Sequence, residues 1–176
     1  MKKVTDIVFG FTSRQPVIFL VVGFWLLVNG LFLPLQLKLK SLSGTMIPDV
    51  VLGLNAEKLS EIFDAYGAEG MEIYRQVGFY DIFIPFSYAA FFGSLIYLLY
   101  SNSIIKLLSW APVVAAILDY IENYQFNIIT ADISVLDPET VSLTGNVVTV
   151  KLVFLALSMT TILVGTVNKF ILKKHS

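Results

Sequence analysis

Three polar residues whose types and spacing could support acid–base or cation chemistry lie within an apolar stretch of this sequence. Asp119, Glu122 and Asn123 occur in the run Asp119-Tyr-Ile-Glu-Asn-Tyr124. Positions i, i+3 and i+4 share a helix face, so the three side chains are predicted to point the same way. An ionisable group inside a membrane helix costs about 2.5–3.5 kcal/mol on insertion scales, and such groups commonly mark functional sites.

The composition indicates an integral membrane protein. Of the 176 residues, 56% are hydrophobic and only 14% are charged, and the mean hydropathy is +0.78. A soluble domain carries about 25% charged residues. The absence of cysteine excludes thiolate nucleophiles, thiolate metal sites and disulfide exchange. The single histidine, His175, is close to the end of the sequence, so histidine-based catalysis, metal binding and haem ligation are not expected.

Four apolar segments predict an all-α fold, an integral membrane four-helix bundle. Each segment offers about 19 residues or more, close to the ~20 needed to cross a ~30 Å hydrocarbon core. The link between the first two segments is predicted to form a small extracytoplasmic helical cap, in which Asn55 caps a short helix and Gly67 breaks it. The predicted single membrane domain, 1–176, has transmembrane helices at about 17–35, 82–100, 104–129 and 147–167, and an extramembrane loop and cap at 36–80.

Prolines and glycines mark the predicted ends and bends of these segments. Pro34 is expected to close the first segment, and Gly145 to interrupt the chain before the fourth. From Met71 the chain is expected to run as a helix into the second segment. Pro85 and Pro112 are expected to kink the second and third segments and to open space between them.

The basic residues predict an orientation in the membrane. The first segment is longer than the apolar part of a signal peptide and is interpreted as a retained helix. With four spans both termini lie on one side. Placing them in the cytoplasm puts seven Lys and Arg residues inside and five outside, which the positive-inside rule favours. The predicted location is the bacterial inner (plasma) membrane, with both termini cytoplasmic.

Helical rise places charged residues from three segments at one depth. Counted from the cytosolic end of each helix, Asp81, Asp119, Glu122 and Lys151 lie about 22–28 Å up. We predict a shared polar cluster; the alternative is separate interfacial groups, with Lys151 snorkelling outward. A net negative cluster is expected to hold a proton on one carboxyl group or a bound cation. The candidate ligand-binding residues are Asp81, Asp119, Glu122, Asn123, Lys151, Arg75, Tyr80 and Tyr120.

No metal site or cofactor is predicted. Asp132, Asp137 and Glu139 form an acidic group between the third and fourth segments. They lack the glycine and terminal glutamate spacing of a calcium-binding loop.

Three runs of the sequence resemble a known group of proteins: Tyr66-Gly-Ala-Glu-Gly70, Tyr80-Asp-Ile-Phe-Ile-Pro-Phe86 and Asp119-Tyr-Ile-Glu-Asn123. Together they resemble an uncharacterised bacterial family of small four-helix integral membrane proteins. A looser likeness is to the sterol-isomerase and sigma-2-receptor superfamily, which places carboxylates in a membrane cavity open to lipid. That likeness implies architecture alone, because no motif of the superfamily matches residue by residue.

Three functions are compatible with the predicted cluster. The first is binding of a lipophilic or lipid-like ligand, with Asp119 and Glu122 holding its polar group and Asp81 and Asn123 orienting them. The second is a structural membrane subunit or scaffold, in which Lys151 satisfies the acids. The third is a lipid-modifying enzyme that uses carboxylate acid–base chemistry. Expected partners are membrane lipid and an amphiphilic small molecule, with homo-oligomerisation left open; the few basic residues argue against nucleic-acid binding.

Overall fold

The computed structural model describes residues 1–131 and 137–170, and these ranges are all-helical, as predicted. Asp132 and His175 lie outside the described residues. Two helices are long and apolar enough to cross a membrane, Gln15–Ser43 and Pro138–Phe170, and a third span results if a bent helix pair is counted as one. The helices are α1 (Lys2–Thr12), α2 (Gln15–Ser43), α3 (Ala56–Asp81), α4 (Ile84–Leu99), α5 (Ala111–Ala131) and α6 (Pro138–Phe170), with short 3₁₀ helices at Pro48–Val50 and Ile105–Trp110.

Helix α2 is longer than predicted. Pro34 lies inside it, and the helix ends only at Gly44, whose φ of 74° is left-handed. The predicted end at Pro34 is therefore wrong. Phe32 and Leu39, on either side of the proline, are both buried in the same apolar core. Their packing keeps the helix continuous despite the hydrogen bond that proline removes.

Most of the buried apolar side chains pack where the C-terminal half of α2 meets α3, the end of α5 and the start of α6. The side chain of Asn55 caps α3 by accepting a hydrogen bond of 2.9 Å from the Lys58 amide. Leu59 and Phe63 on this helix are buried in the core. Gly67 interrupts the helical backbone with φ 57° and ψ −166°. This core positions residues 44–55, the connection between α2 and α3.

The chain was expected to run as one helix from Met71 into the second segment, but the structure forms two helices there. Helix α3 ends at Asp81, and α4 begins at Ile84 after a bend of 43°. Pro85 and Pro112 occupy the first turns of α4 and α5. The predicted mid-helix kinks are therefore wrong. Proline is accommodated in a first turn because the amide that it lacks would have no intrahelical partner there.

Helix α1 is too short for hydropathy to predict as a span, and it packs beside α4. The Trp110 indole donates a 2.9 Å hydrogen bond to the hydroxyl of Thr5. The rings of Phe9 and Trp110 meet edge to face at 5.3 Å. These contacts attach the N-terminal helix to α4 and to the 3₁₀ helix Ile105–Trp110.

Gly145 lies inside α6, so the predicted break before the fourth segment is wrong. Helix α6 begins at Pro138, where the Thr140 amide donates a 2.9 Å hydrogen bond to Asp137. A Cβ atom on Gly145 would lie 2.4 Å from the carbonyl oxygen of Leu54. The glycine therefore allows the connection before α3 to lie directly against α6.

Gly145→Ala is expected to lower the free energy of unfolding by about 1–3 kcal/mol, because the backbone of Leu54 must move. The control is Gly23→Ala on α2, where a Cβ atom would have no neighbour within 4 Å. That change is expected to be neutral or to stabilise by up to about 1 kcal/mol through helix propensity. Thermal unfolding in detergent measures both, and equal midpoints for the two variants would contradict the close contact.

Candidate functional site

All the buried charged side chains in the described ranges belong to one group. It contains four carboxyl groups and one ammonium group, contributed by the connection before α3 and by α3, α5 and α6. Buried charges require partners or neutralisation, so the excess of acids is the central feature of this group. We call it the acidic cluster, and its members are Asp49, Asp81, Asp119, Glu122 and Lys151.

Lys151 joins two of these acids. Its Nζ atom lies 3.0 Å from Asp119 Oδ1 and 2.6 Å from Glu122 Oε2. The hydroxyl of Tyr88 donates a 3.0 Å hydrogen bond to Asp119 Oδ2. Lys151 is only 4% exposed, so it does not snorkel outward. Helices α5 and α6 pack along each other, and this contact brings the lysine to the face that carries both acids.

The other two acids face a cavity of about 240 Å³. Asp49, Asp81 and Asn123 line it, between α3, α5 and the Pro48–Val50 turn. Asp49 Oδ1, Asp81 Oδ2 and Asn123 Nδ2 are buried and form no hydrogen bond of normal geometry with another described residue, although the Tyr74 hydroxyl is close enough to act on Asp49 and the Asn123 amide on Asp81. An unsatisfied buried polar atom costs about 1–3 kcal/mol. The cavity thus presents two unpaired acceptors and one unpaired donor.

Asp49 was missed by the sequence analysis, which interpreted its segment as loop. Ile47 and Pro48, just before it, are buried and hold the turn against the core. Burial raises the pKa of Asp49 to about 6, although the charge of Lys151 opposes the shift; Asp119 adds to it. The only signal in the sequence is the apolar run at 46–52 around this one acid.

Besides Asp81 and Asn123, which line the cavity, three predicted site residues take no part in the ion pairs of Lys151. Arg75 was a candidate ligand-binding residue, but its guanidinium pairs with Glu72 at 3.0 Å, with both side chains largely exposed. Arg75 lies at the rim of the cavity. Tyr80 is half-buried against the apolar core, and exposed Tyr120 donates a 3.0 Å hydrogen bond to the carbonyl of Ile82. Position along a helix therefore did not predict the direction in which these three side chains point.

Two other kinds of site are alternatives to this cavity: a larger depression on the surface and a metal-binding site. A larger depression, about 800 Å³, lies along α1. Its charged lining residues Lys3, Asp6 and Arg14 are exposed, so it lacks the unpaired buried groups of the smaller cavity. Within the described ranges, no group of three or more His, Asp or Glu side chains is arranged to hold a metal ion.

Comparison with known families, curated proteins and solved structures finds no match for this chain. Lys151 contacts Asp119 and Glu122. Among the described residues Glu122 Oε1, Asp49 Oδ1 and Asp81 Oδ2 all lack a hydrogen bond of normal geometry, but only Asp49 and Asp81 line the cavity. A group that carries positive charge and donates hydrogen bonds would satisfy them.

Proposed function

We propose that this protein binds a lipophilic or lipid-like ligand through a cationic headgroup, in the cavity between α3 and α5. The observation that carries the proposal is the pair of unpartnered buried oxygens, Asp49 Oδ1 and Asp81 Oδ2, that line this cavity. Uncompensated buried carboxylates are costly, so a cation bound there gains a strong electrostatic partner.

The rim of the cavity supports an amphiphilic ligand. Phe79 and Ile82 line it and are more than half exposed. Apolar side chains beside a polar cavity suit a ligand whose head enters and whose chain stays at the surface. The headgroup-binding role first given to Asp119 and Glu122 is therefore assigned to Asp49 and Asp81, because Asp119 and Glu122 contact Lys151 and do not line the cavity.

The proposed membrane arrangement is a four-helix bundle in the bacterial inner membrane, with both termini cytoplasmic. Helices α2 and α6 are two of the spans, and α4 with the end of α3 forms the bent third. Helix α5, packed against both α4 and α6, is the proposed fourth. The connection and the first part of α3 would form the extracytoplasmic cap. Membership of the four-helix bacterial family named above belongs to the same proposal.

Native mass spectrometry of protein extracted gently from its own membrane tests ligand binding. We expect a discrete amphiphile with an amine in its head to remain bound to the native chain after loosely held lipid is removed. Asp81→Asn should lose it, because the amide keeps the side-chain shape but removes the charge that attracts a cation.

The matched control is Asp64→Asn, which changes an exposed acid on the same helix. It should retain the bound mass. Native protein that carries no amphiphile, and that is not stabilised by a long-chain alkylamine, would contradict the proposed function.

A structural role for the acidic cluster is the second candidate. It is favoured by the contacts from Lys151 to Asp119 and Glu122, which cross-link α5 and α6. If this were the whole function, Asp119→Asn and Asp81→Asn would both change stability, and neither would alter a bound mass.

A further inference from the structure

We infer that the headgroup is a primary ammonium joined by a short linker to a phosphate, the chemistry shared by ethanolamine phospholipids and soluble phosphoethanolamine. The inference rests on the proposed function and names the ligand class of the same cavity. It depends on three features of the cavity: its unpaired acceptors, the donors at its wall and rim, and its size.

The unpaired acceptors favour a primary ammonium over a quaternary one. Asp49 Oδ1 and Asp81 Oδ2 are buried and receive no hydrogen bond of normal geometry from the described residues. A primary ammonium offers three N–H donors and a positive charge, whereas a quaternary ammonium offers the charge alone. Binding a quaternary head would leave both oxygens unsatisfied, and the cost of burying them would remain.

The donors favour an anionic group attached to the ammonium. Asn123 Nδ2 is buried without a hydrogen bond of normal geometry in the described chain, although it is close enough to Asp81 to act on that carboxyl group, and Arg75 stands at the rim. The pairing of Arg75 with Glu72 is exposed, so little free energy is needed to release it. Arginine binds phosphate in a bidentate manner. A phosphate near the ammonium would therefore satisfy the donors while the carboxylates hold the amine.

The size of the cavity suits a headgroup and excludes a whole lipid. Its volume is about 240 Å³, below the roughly 300–1,000 Å³ of pockets that enclose a drug-sized molecule. Exposed Phe79 and Ile82 at its edge are placed to contact the chains of a lipid that remains in the bilayer.

Delipidated full-length protein in maltoside detergent, titrated with defined probes, tests the inference by ligand-dependent thermal unfolding. The probes are short-chain phosphatidylethanolamine, phosphatidylcholine, phosphatidylglycerol, dodecylamine and soluble phosphoethanolamine. We expect phosphatidylethanolamine to bind at least about tenfold more tightly than phosphatidylcholine, which differs only by three N-methyl groups. Phosphatidylglycerol, which lacks the amine, should not stabilise the protein.

Two variants separate the ends of the headgroup. Arg75→Gln should weaken phosphatidylethanolamine several-fold and leave dodecylamine unchanged, because only the phospholipid carries a phosphate. Asp81→Asn should weaken both. Asp64→Asn, an exposed acid on the same helix as Arg75 and Asp81, should change neither.

Equal binding of phosphatidylethanolamine and phosphatidylcholine would overturn the primary ammonium, and an unchanged affinity in Arg75→Gln would overturn the phosphate contact. In either case Asp81-dependent binding of dodecylamine would leave the proposed function standing. If no probe stabilises the protein, including dodecylamine, the inference and the proposed function both fail. If soluble phosphoethanolamine binds as tightly as phosphatidylethanolamine, the ammonium-and-phosphate ligand is a soluble ester. If it binds much more weakly, the ligand is the headgroup of a membrane lipid.

Discussion

Lys151→Met is expected to lower the free energy of unfolding by about 3–5 kcal/mol, the range for breaking a buried ion pair from one side. The lysine Nζ atom contacts Asp119 at 3.0 Å and Glu122 at 2.6 Å, and Glu122 is completely buried. Methionine fills similar space but leaves two carboxyl groups without their cation. Unfolding by heat and by denaturant in detergent measures the loss.

Two comparisons establish the cause of that loss. Lys169→Met removes an exposed lysine from the same helix, whose hydrogen bond within the described residues is to the carbonyl of Leu98 at 3.1 Å, and should cost about 1 kcal/mol or less. Combining Lys151→Met with Asp119→Asn and Glu122→Gln should recover part of the stability, because the stranded charges are removed as well. A Lys151→Met protein as stable as Lys169→Met would contradict the buried ion cluster.

Asp49→Asn is expected to stabilise the ligand-free protein above about pH 6 and to have little effect near pH 4. Burial raises the pKa of Asp49 from 3.8 to about 6, so the folded state binds this proton more tightly than the unfolded state. The protein therefore loses stability as the pH rises from about 4 to about 6, and the full loss is present at higher pH. A shift of this size corresponds to about 3 kcal/mol, which the neutral amide removes.

The test is a set of unfolding midpoints from pH 4 to pH 8 for native protein, Asp49→Asn and the exposed-site control Asp64→Asn. The gap between native protein and Asp49→Asn should open over the acidic half of this range, whereas Asp64→Asn should follow native protein throughout. Lys151, Asp119 and the Tyr74 hydroxyl also act on Asp49, so none of them is altered in this series. A gap that is the same at pH 4 and pH 8 would show that titration of Asp49 is not its cause.

The two predictions concern different halves of the acidic cluster. Lys151 neutralises the acids of α5, and its removal should be destabilising. Asp49 and Asp81 face the cavity without that cation. Removal of the Asp49 charge should therefore stabilise the protein. Such a gain in stability is typical of residues that are kept for binding at the expense of stability.

Composition and helical periodicity were enough to predict an all-α protein with apolar segments of membrane-spanning length. The i, i+3 spacing placed Asp119 and Glu122 on one face, and helical rise brought Lys151 to their depth, because both quantities depend only on helix geometry. Proline was less informative. The effect of a proline depends on its surroundings, because proline lacks the backbone amide that donates a helical hydrogen bond. Packing on both sides keeps α2 continuous at Pro34, whereas Pro85 and Pro112 lie in first turns, where that amide would have no partner.

Tertiary packing alone decided which of these charges meet and which remain unpaired. Arg75 lies on the same helix as Asp81 but pairs with Glu72 at the surface, since helical rise gives height along the axis and does not give the rotation about it. Asp49 enters the site from an irregular connection held by the close contact of Leu54 with Gly145, a contact between residues far apart in the chain. Such long-range contacts leave no local periodicity, so the cavity and its unpaired oxygens could be seen only once the helices were packed.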